Sequence, residues 1–361
     1  MCLKGSGLLS RNDFGVPLCG SLCRIFMILI TGGAGYIGSH VAKALSNMGH
    51  ETVVFDNLSR GHREVVKYGH FMQGDISQKP DLDAVFNQYP IDAVVHLAAY
   101  AYVGESVLDP QKYYQNNVVG TITLLDAMMA HGVKKIIFSS TCSVYGTPSH
   151  VPISEEQSKK PINPYGWTKY IIERILLDYD AAYGLKSVVL RYFNAAGADP
   201  EGEIGEWHLP ETHLIPLIFN TVLKKQKNLE IFGDDYPTPD GTCVRDYIHV
   251  ADIAKAHCLA LNYLDSIGTS DVFNLGSGKG CSVREVVGEV EKCVSSVVPV
   301  VVSARRPGDP ATLTSSSLKA LKLLGWKPES SDLGLIVKSG WDWHRKMPSL
   351  LNALGAPKAL H

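Results

Sequence analysis

Met27-Ile-Leu-Ile-Thr-Gly-Gly-Ala-Gly-Tyr-Ile-Gly-Ser-His40 joins a short apolar run to a triplet of glycines. The run Met27 to Thr31 is rich in β-branched side chains, too short for a helix, and bounded by glycine, which reads as a buried strand. Gly32, Gly35 and Gly38 follow in the spacing GxxGxxG and open a helix at Tyr36. Gly32 allows a tight turn, Gly35 lets backbone approach a pyrophosphate, and Gly38 permits close packing of helix on strand. The first helical turn adds N–H donors. Strand, glycine turn and helix in that order predict the first unit of a dinucleotide-binding fold.

Asp56-Asn57 ends a second predicted strand at 51–56, where a carboxylate can accept both hydroxyls of an adenosine ribose. A 2′-phosphate would be repelled there even though Arg60 and Arg63 follow, so the pattern predicts NAD rather than NADP. Asp75, after a third strand at 70–73, is placed to meet the adenine edge. Further strands are expected at 92–97, 135–139 and 187–192, and helices at 36–48, 82–88, 112–130 and 165–183. This alternation predicts an α/β fold, a Rossmann-type doubly wound parallel sheet covered on both faces. Past Asn194 the pattern turns irregular, with Pro-, Gly- and Asp-rich loops around 197–210 and 233–242. Helices are expected there at 250–263, 283–294, 316–324 and 333–344, with strands near Val272 and Pro299. The predicted organisation is an N-terminal extension over 1–26, an NAD-binding domain over 27–193, a smaller mixed α/β substrate-binding region over 194–350, and a tail over 351–361.

At 361 residues, with 45% apolar and 19% charged residues, the chain can bury a large core. A net charge of −2 supplies no basic field for nucleic acid or an anionic membrane, so any phosphate must be held by local groups. Eight cysteines without a CxxC pair read as reduced thiols and point to the cytoplasm. Thirteen histidines show no HxxxH or HxH grouping, and no metal is expected. The extension holds three of the cysteines, and Gly15-Val16-Pro17-Leu18 interrupts the apolar stretch a secretory signal needs. Elsewhere no run approaches the ~20 apolar residues of a membrane helix.

Tyr165-Gly166-Trp167-Thr168-Lys169 places a tyrosine and a lysine on one face of a predicted helix. A free phenol, with a pKa near ~10, is a poor base at neutral pH unless a cation favours the phenolate. Lys169 and a positive nicotinamide ring are the two charges on offer. Thr141, at the end of Phe138-Ser139-Ser140-Thr141, supplies a hydroxyl that can share the proton moving between Tyr165 and a substrate alcohol. Arg245 and Arg306 carry guanidinium groups that can fork onto phosphate oxygens.

From Met27 to about Met347 the chain resembles the UDP-glucose 4-epimerase family of the extended short-chain dehydrogenase/reductase superfamily, whose glycine turn has the same long first gap. The resemblance rests on Thr31-Gly-Gly-Ala-Gly-Tyr-Ile-Gly-Ser-His40, Val103-Gly-Glu-Ser106, Tyr113-Tyr-Gln-Asn-Asn-Val118, Arg191-Tyr-Phe-Asn194, Asp235-Tyr-Pro237, Gly241-Thr-Cys-Val-Arg-Asp-Tyr-Ile-His249 and Asn274-Leu-Gly276. It implies inversion of C4 of a UDP-sugar, first of all between UDP-glucose and UDP-galactose, through a transient 4-keto sugar. Tyr165 would take the C4 hydroxyl proton as hydride passes to NAD; the ketone would turn over and receive both back on its other face. The resemblance implies cofactor contacts from Gly32, Gly35, Tyr36, Ile37, Gly38, Asp56, Asn57, Asp75 and Ile76, and from Leu97, Ala98, Ala99, Asn116, Ser139, Tyr165, Lys169 and Tyr192. It implies substrate contacts from Thr141, Tyr165, Asn194, His213, Leu214, Phe232, Arg245, Arg306 and Asp309, and a homodimer paired through helices 112–130 and 165–183.

Dehydratases of the superfamily carry Asp-Glu after the threonine matched by Thr141, where this chain has Cys142-Ser143, so oxidation and re-reduction are the chemistry its groups support. Three departures bear on the sugar. Ala101 stands where many hexose epimerases have a cofactor-contacting lysine, and the surrounding sequence also resembles epimerases of UDP-pentoses, which keeps UDP-xylose/UDP-arabinose interconversion open. His213 stands where some members place asparagine. Leu313 falls about where a tyrosine restricts some members to unacetylated hexoses, so UDP-N-acetylhexosamines stay open too. A reading of another class is an inactive NAD-binding regulatory protein, against which the intact Tyr165, Lys169 and Thr141 speak.

Overall fold

The apolar run before the glycines is strand β1 (Met27–Thr31), and the turn leads directly into helix α1 (Tyr36–Asn47). The same unit repeats through β2 (Glu51–Asp56), β3 (His70–Gln73), α2 (Lys79–Gln88) and β4 (Ala93–His96). There follow α3 (Val103–Leu108), α4 (Pro110–Tyr113), a π-helical segment (Tyr114–Val119), α5 (Gly120–Ala130), β5 (Lys135–Thr141), α6 (Pro164–Tyr183) and β6 (Lys186–Tyr192). The second half supplies β7 (Asn194–Ala196), α7 (Leu214–Val222), β8 (Leu229–Phe232), β9 (Val244–His249), α8 (Val250–Ser266), β10 (Asp271–Leu275), β11 (Gly280–Ser282) and α9 (Val283–Val294). It closes with β12 (Val300–Ser303), β13 (Thr312–Leu313), α10 (Leu318–Leu324) and α11 (Leu333–Ala353). This computed structural model describes residues 25–306 and 309–353, so nearly all of the extension expected over 1–26, and the tail beyond 353, lie outside the described residues.

Seven strands form one parallel sheet in the order β10-β6-β5-β4-β1-β2-β3. Chain order reverses between β1 and β4, which opens a crevice beyond the C-terminal ends of those strands. Strands buried on both faces need continuous apolar sequence, and all four residues of β4 are buried. One face packs β1 and β6 residues such as Ile28, Ile30 and Leu190 against Val41 and Leu45 of α1 and Ile253 and Leu261 of α8. The other packs Leu29, Val94 and Phe138 against Leu82, Leu124, Ile172 and Leu176. At about 1.5–3 kcal/mol per fully buried aliphatic side chain, these two layers supply the main stabilisation of the sheet.

A smaller sheet is centred on β9, which pairs with β7, β11 and β13, while β8 and β12 form a separate pair. Ile218, Phe219, Val286, Ile336 and Val337 make its core with α7, α9 and α11.

The structure departs from the sequence expectations at several places. Helix α2 starts at Lys79 rather than 82, because Pro80 is compatible with a first helical turn. The helix expected over 112–130 contains the π segment, where buried Asn117 accepts from Tyr100 N–H and donates to the Tyr100 carbonyl and Thr168 Oγ1. Strand β10 pairs with β6, so residues well past 193 complete the large sheet. Helix α11 continues through Ala353, beyond the tail boundary drawn at 351.

Candidate active site

Each glycine of the turn has a distinct steric reason. Gly32 has φ +72°, and a Cβ there would lie 2.5 Å from the Ala98 backbone nitrogen. A Cβ at Gly38 would stand 2.3 Å from the Gly32 carbonyl oxygen, so helix α1 can approach the turn only without a side chain. At Gly35 the one neighbour is the Gly32 oxygen at 3.3 Å, and no side chain caps the helix that begins there. With no acidic residue in its first turn, the start of α1 is a cradle that fits a pyrophosphate.

Around that cradle, Asp56 accepts from Ala34 N–H at 3.0 Å and from Leu58 N–H at 2.8 Å. Burial raises its pKa, and those two bonds oppose the rise. Asn57 donates to Asp75 at 2.7 Å, joining the two predicted cofactor contacts across the ends of β2 and β3. Arg60 is already committed to Glu105 at 2.9 Å and to the Leu209 carbonyl at 2.9 Å, and Arg63 lies over the Phe71 ring. Neither guanidinium is set up for a 2′-phosphate, in keeping with NAD.

Leu97, Ala98 and Ala99 follow β4 on the far side of the crevice, and Ile76 is buried against Gly120. Asn116 donates to Asn117. The Tyr36 phenol donates to the Gly197 carbonyl at 2.6 Å and Ile37 packs into the core, which leaves their backbones rather than their side chains for a cofactor.

Helix α6 sets the reacting groups. Asn163 caps it by accepting from Gly166 N–H at 2.8 Å, with Pro164 in the first turn. Tyr165, Thr168, Lys169, Ile172, Glu173 and Leu176 then form its buried face. Tyr165 is only 9% exposed, and Lys169 Nζ donates to the Ser139 carbonyl at 2.8 Å. Thr141 Oγ1, at the end of β5, accepts from Ser143 N–H at 3.1 Å. Burial, and next Tyr192, push the Tyr165 phenol up, while a hydrogen bond with Thr141 opposes the rise. Burial pulls Lys169 down to about 7, opposed by Glu173. In the protein without ligands burial therefore works against the charged form of both groups. Tyr192 is pushed up to about 12 by burial, with a hydrogen bond from Ser139 opposing, so these two predicted residues also adjoin. Cys142, beside Thr141, is buried and pushed up to about 12, chiefly by desolvation, and is no acid for a dehydration.

One network escaped the sequence reading. Glu173, one turn beyond Lys169, accepts from Arg191 Nε at 2.9 Å and from Ser140 Oγ at 2.6 Å. Arg191 Nη1 donates to the Tyr145 hydroxyl at 2.8 Å, which donates to Asn274 at 2.7 Å. The available signal was a glutamate four residues after Lys169 and an arginine inside an apolar strand.

The predicted anion-holding residues also converge. Buried Arg245 meets Asp309 at 2.6 Å and the Pro310 carbonyl at 2.8 Å, while exposed Arg306 meets the other Asp309 oxygen at 2.9 Å. The Arg306 guanidinium lies 5.0 Å from the centre of the Phe232 ring. Leu313 pairs with Arg245 in register and packs against the cluster that contains Cys142 and Phe193. Asn194 begins β7 and pairs with Tyr247. Leu214 starts α7 and His213 precedes it, but His213 Nδ1 turns to Glu206 at 2.8 Å and Glu211 at 3.2 Å. Ala101 is exposed and lies just ahead of α3.

Residues 28–276 match the model of the NAD dependent epimerase/dehydratase family. A UDP-glucose 4-epimerase of Rhizobium leguminosarum bv. trifolii is 52% identical over 319 residues, 88% of this chain and 97% of that protein. The crystal structure of UDP-glucose 4-epimerase from Brucella ovis in complex with NAD is 50% identical, with a TM-score of 0.86, covering 88% of this chain and 97% of that one. A Stenotrophomonas maltophila UDP-glucose 4-epimerase with bound NAD and formylated UDP-arabinopyranose is 40% identical, with a TM-score of 0.87, covering 90% and 99%. Among the described residues no helix is long and apolar enough to cross a membrane.

Proposed function

The chain belongs to the NAD dependent epimerase/dehydratase family, and from that footing we propose how its own residues invert C4 of a UDP-sugar. The activity is NAD-dependent epimerisation of UDP-sugars. Bound NAD supplies the acceptor and donor of the C4 hydride. The observation that carries the assignment of roles is the burial of Tyr165 beside Thr141 and Tyr192, at the C-terminal ends of β5 and β6, with a neutral Cys142 in place of an acid. Tyr165 Oη takes the proton of the C4 hydroxyl and returns it after the ketone turns over; Thr141 Oγ1 shares that proton. Lys169, anchored on Ser139, orients the Tyr165 side of α6 and adds positive charge when protonated. Gly32, Gly35 and Gly38 with the backbone of Tyr36 and Ile37 hold the pyrophosphate, Asp56 the ribose, and Asn57 and Asp75 the adenine side. Ile76, Leu97, Ala98, Ala99, Asn116, Ser139 and Tyr192 line the rest of the cofactor's path. Arg245, Arg306 and Asp309 hold the substrate diphosphate and ribose, with Leu214 and Phe232 at the uracil end.

UDP-glucose and UDP-galactose are the proposed pair, on the strength of the sequence relationship to enzymes named for that reaction. A pentose reading is favoured by Ala101 and by the neighbour that holds a UDP-arabinopyranose derivative. Leu313, smaller than tyrosine and packed against the Cys142 cluster, bears on N-acetyl sugars. Purified protein incubated with UDP-glucose, UDP-galactose, their N-acetyl forms and the UDP-pentoses is expected to yield UDP-galactose from UDP-glucose faster than any other epimer, without net NADH. A dehydrated keto sugar, or no C4 epimer, would exclude the reading.

We further propose a cytoplasmic homodimer. Cys142, Cys243, Cys258, Cys281 and Cys293 are free thiols, which suits a reducing compartment. Leu108 is 87% exposed and Val107 60%, and Val119, Trp167 and Leu177 are exposed on neighbouring helical segments that pack together. Such apolar surface suits a two-fold contact. Sedimentation equilibrium at micromolar concentration should give twice the chain mass; a monomer would refute it.

A further inference from the structure

Glu206-Trp-His-Leu-Pro-Glu-Thr-His213, ahead of α7, turns four side chains onto one point. We propose that Glu206, His208, Glu211 and His213 bind one divalent transition-metal cation of the zinc class, which clamps this loop onto the body of the protein. One ligand atom from each of the four lies within 4.8 Å of all the others. His213 Nδ1 is 2.8 Å from Glu206 Oε1 and 3.2 Å from Glu211 Oε1, and His208 Nδ1 is 3.3 Å from Glu206 Oε1 and 3.6 Å from Glu211 Oε2. A tetrahedral zinc with bonds of about 2.0–2.1 Å spaces its ligand atoms about 3.3–3.4 Å apart, in the middle of that spread.

A second observation comes from the hydrogen bonding of the buried atoms. Glu206 is 7% exposed, yet among the described residues its Oε1 has no aligned hydrogen-bond donor, and the buried Nδ1 atom of His208 has no aligned partner either. A shared cation would satisfy both of these buried atoms at once. The supporting contacts are those of a held ligand set. Thr212 and His213 N–H donate to Glu211 Oε1 at 2.7 and 2.8 Å. Trp343 Nε1 donates to the Glu206 carbonyl at 2.9 Å, Arg60 to the Leu209 carbonyl at 2.9 Å and Tyr102 to the Pro210 carbonyl at 3.0 Å. The Tyr36 and Tyr102 rings stand edge-on to His208.

A comparison within the same molecule sharpens the point. Asp199, Glu201 and Glu203 also gather closely, but Lys43 Nζ already sits among them, 2.9 Å from Asp199 and 2.9 Å from Glu203. Among the described residues no lysine or arginine pairs with the Glu206 cluster, whose two imidazole nitrogens and two carboxylates suit zinc, cobalt or nickel. Sequence spacing hid it because the four residues lie on a loop and follow no helical repeat. Since α7 starts at Leu214, the cation fixes the end of the helix that faces the proposed uracil pocket.

The test is a titration of the full-length protein after dialysis against a chelator, with no sugar present, so that its outcome is independent of the proposed reaction. Cobalt(II) is expected to bind at one equivalent per chain with the intense visible absorption of a four-coordinate site, and zinc to displace it. Glu206→Gln and His208→Ala are each expected to weaken zinc by ~100-fold or more, and to abolish the rise in unfolding temperature that zinc gives the wild type. Absence of stoichiometric uptake by the wild type, or unchanged affinity in both variants, overturns the proposal; the wild-type titration decides it if a variant does not fold.

Discussion

Tyr165→Phe is expected to lower kcat for UDP-glucose by roughly 10²–10⁴-fold, the contribution typical of a positioned proton-transfer group, while NAD stays bound. The substitution removes one oxygen and keeps the ring, so the buried face of α6 keeps its packing. What is lost is the phenol hydroxyl that the helix presents to Thr141, and Thr141 alone has no route to accept a proton at neutral pH. Desolvation makes the phenol harder to ionise and Lys169 harder to charge, so the protein without ligands stores the proton on Tyr165. The positive ring of the oxidised cofactor adds to the charge that protonated Lys169 carries in lowering the phenol, which ties the ionisation of Tyr165 to the oxidised state in which a proton must be removed. Steady-state rates with a coupled assay, together with cofactor content measured after denaturation, separate the two halves of the expectation. An unimpaired kcat would exclude Tyr165 as the base, and loss of NAD would assign it to binding instead.

Much of this site was legible because local sequence and local geometry coincide in it. Gly32 and Gly38 are demanded by contacts to Ala98 and to the turn itself, so the glycine spacing reports the packing directly. Tyr165 and Lys169 share a face because they are four residues apart on one helix, a relation that sequence states outright. The sheet was legible for a similar reason, since strands buried on both faces must be short continuous apolar runs. What stayed hidden depends on distant segments. That β10 lies beside β6 follows from a crossover through α7 to α8 that no periodicity encodes. The burial that raises the Tyr165 phenol has no counterpart in the sequence, where Lys169 is visible and the packing around both groups is not. The Glu206 to His213 cluster was missed because its members meet through loop geometry.

Arg191→Leu is expected to destabilise the fold by about 3–5 kcal/mol, the usual cost of removing one partner from a buried ion pair. Arg191 is 4% exposed and Glu173 5%, far from the solvent that screens surface pairs. With the guanidinium gone, the Glu173 carboxylate keeps only the bond from Ser140 Oγ at 2.6 Å, and Tyr145 loses its partner at Nη1. The unpaired charge, more than the lost attraction, sets the size of the effect, so Arg191→Leu combined with Glu173→Leu should recover most of the stability. Because Glu173 sits one turn beyond Lys169 on α6, the single variant should also loosen the helix that carries Tyr165 and lower kcat more than it raises KM. Denaturant unfolding of the single and double variants, paired with kinetics on the folded fraction, measures both. A single-variant loss below about 1 kcal/mol, the scale of an exposed pair, would mean that the Glu173 charge finds water when Arg191 is removed, and that the network does not hold α6 in place.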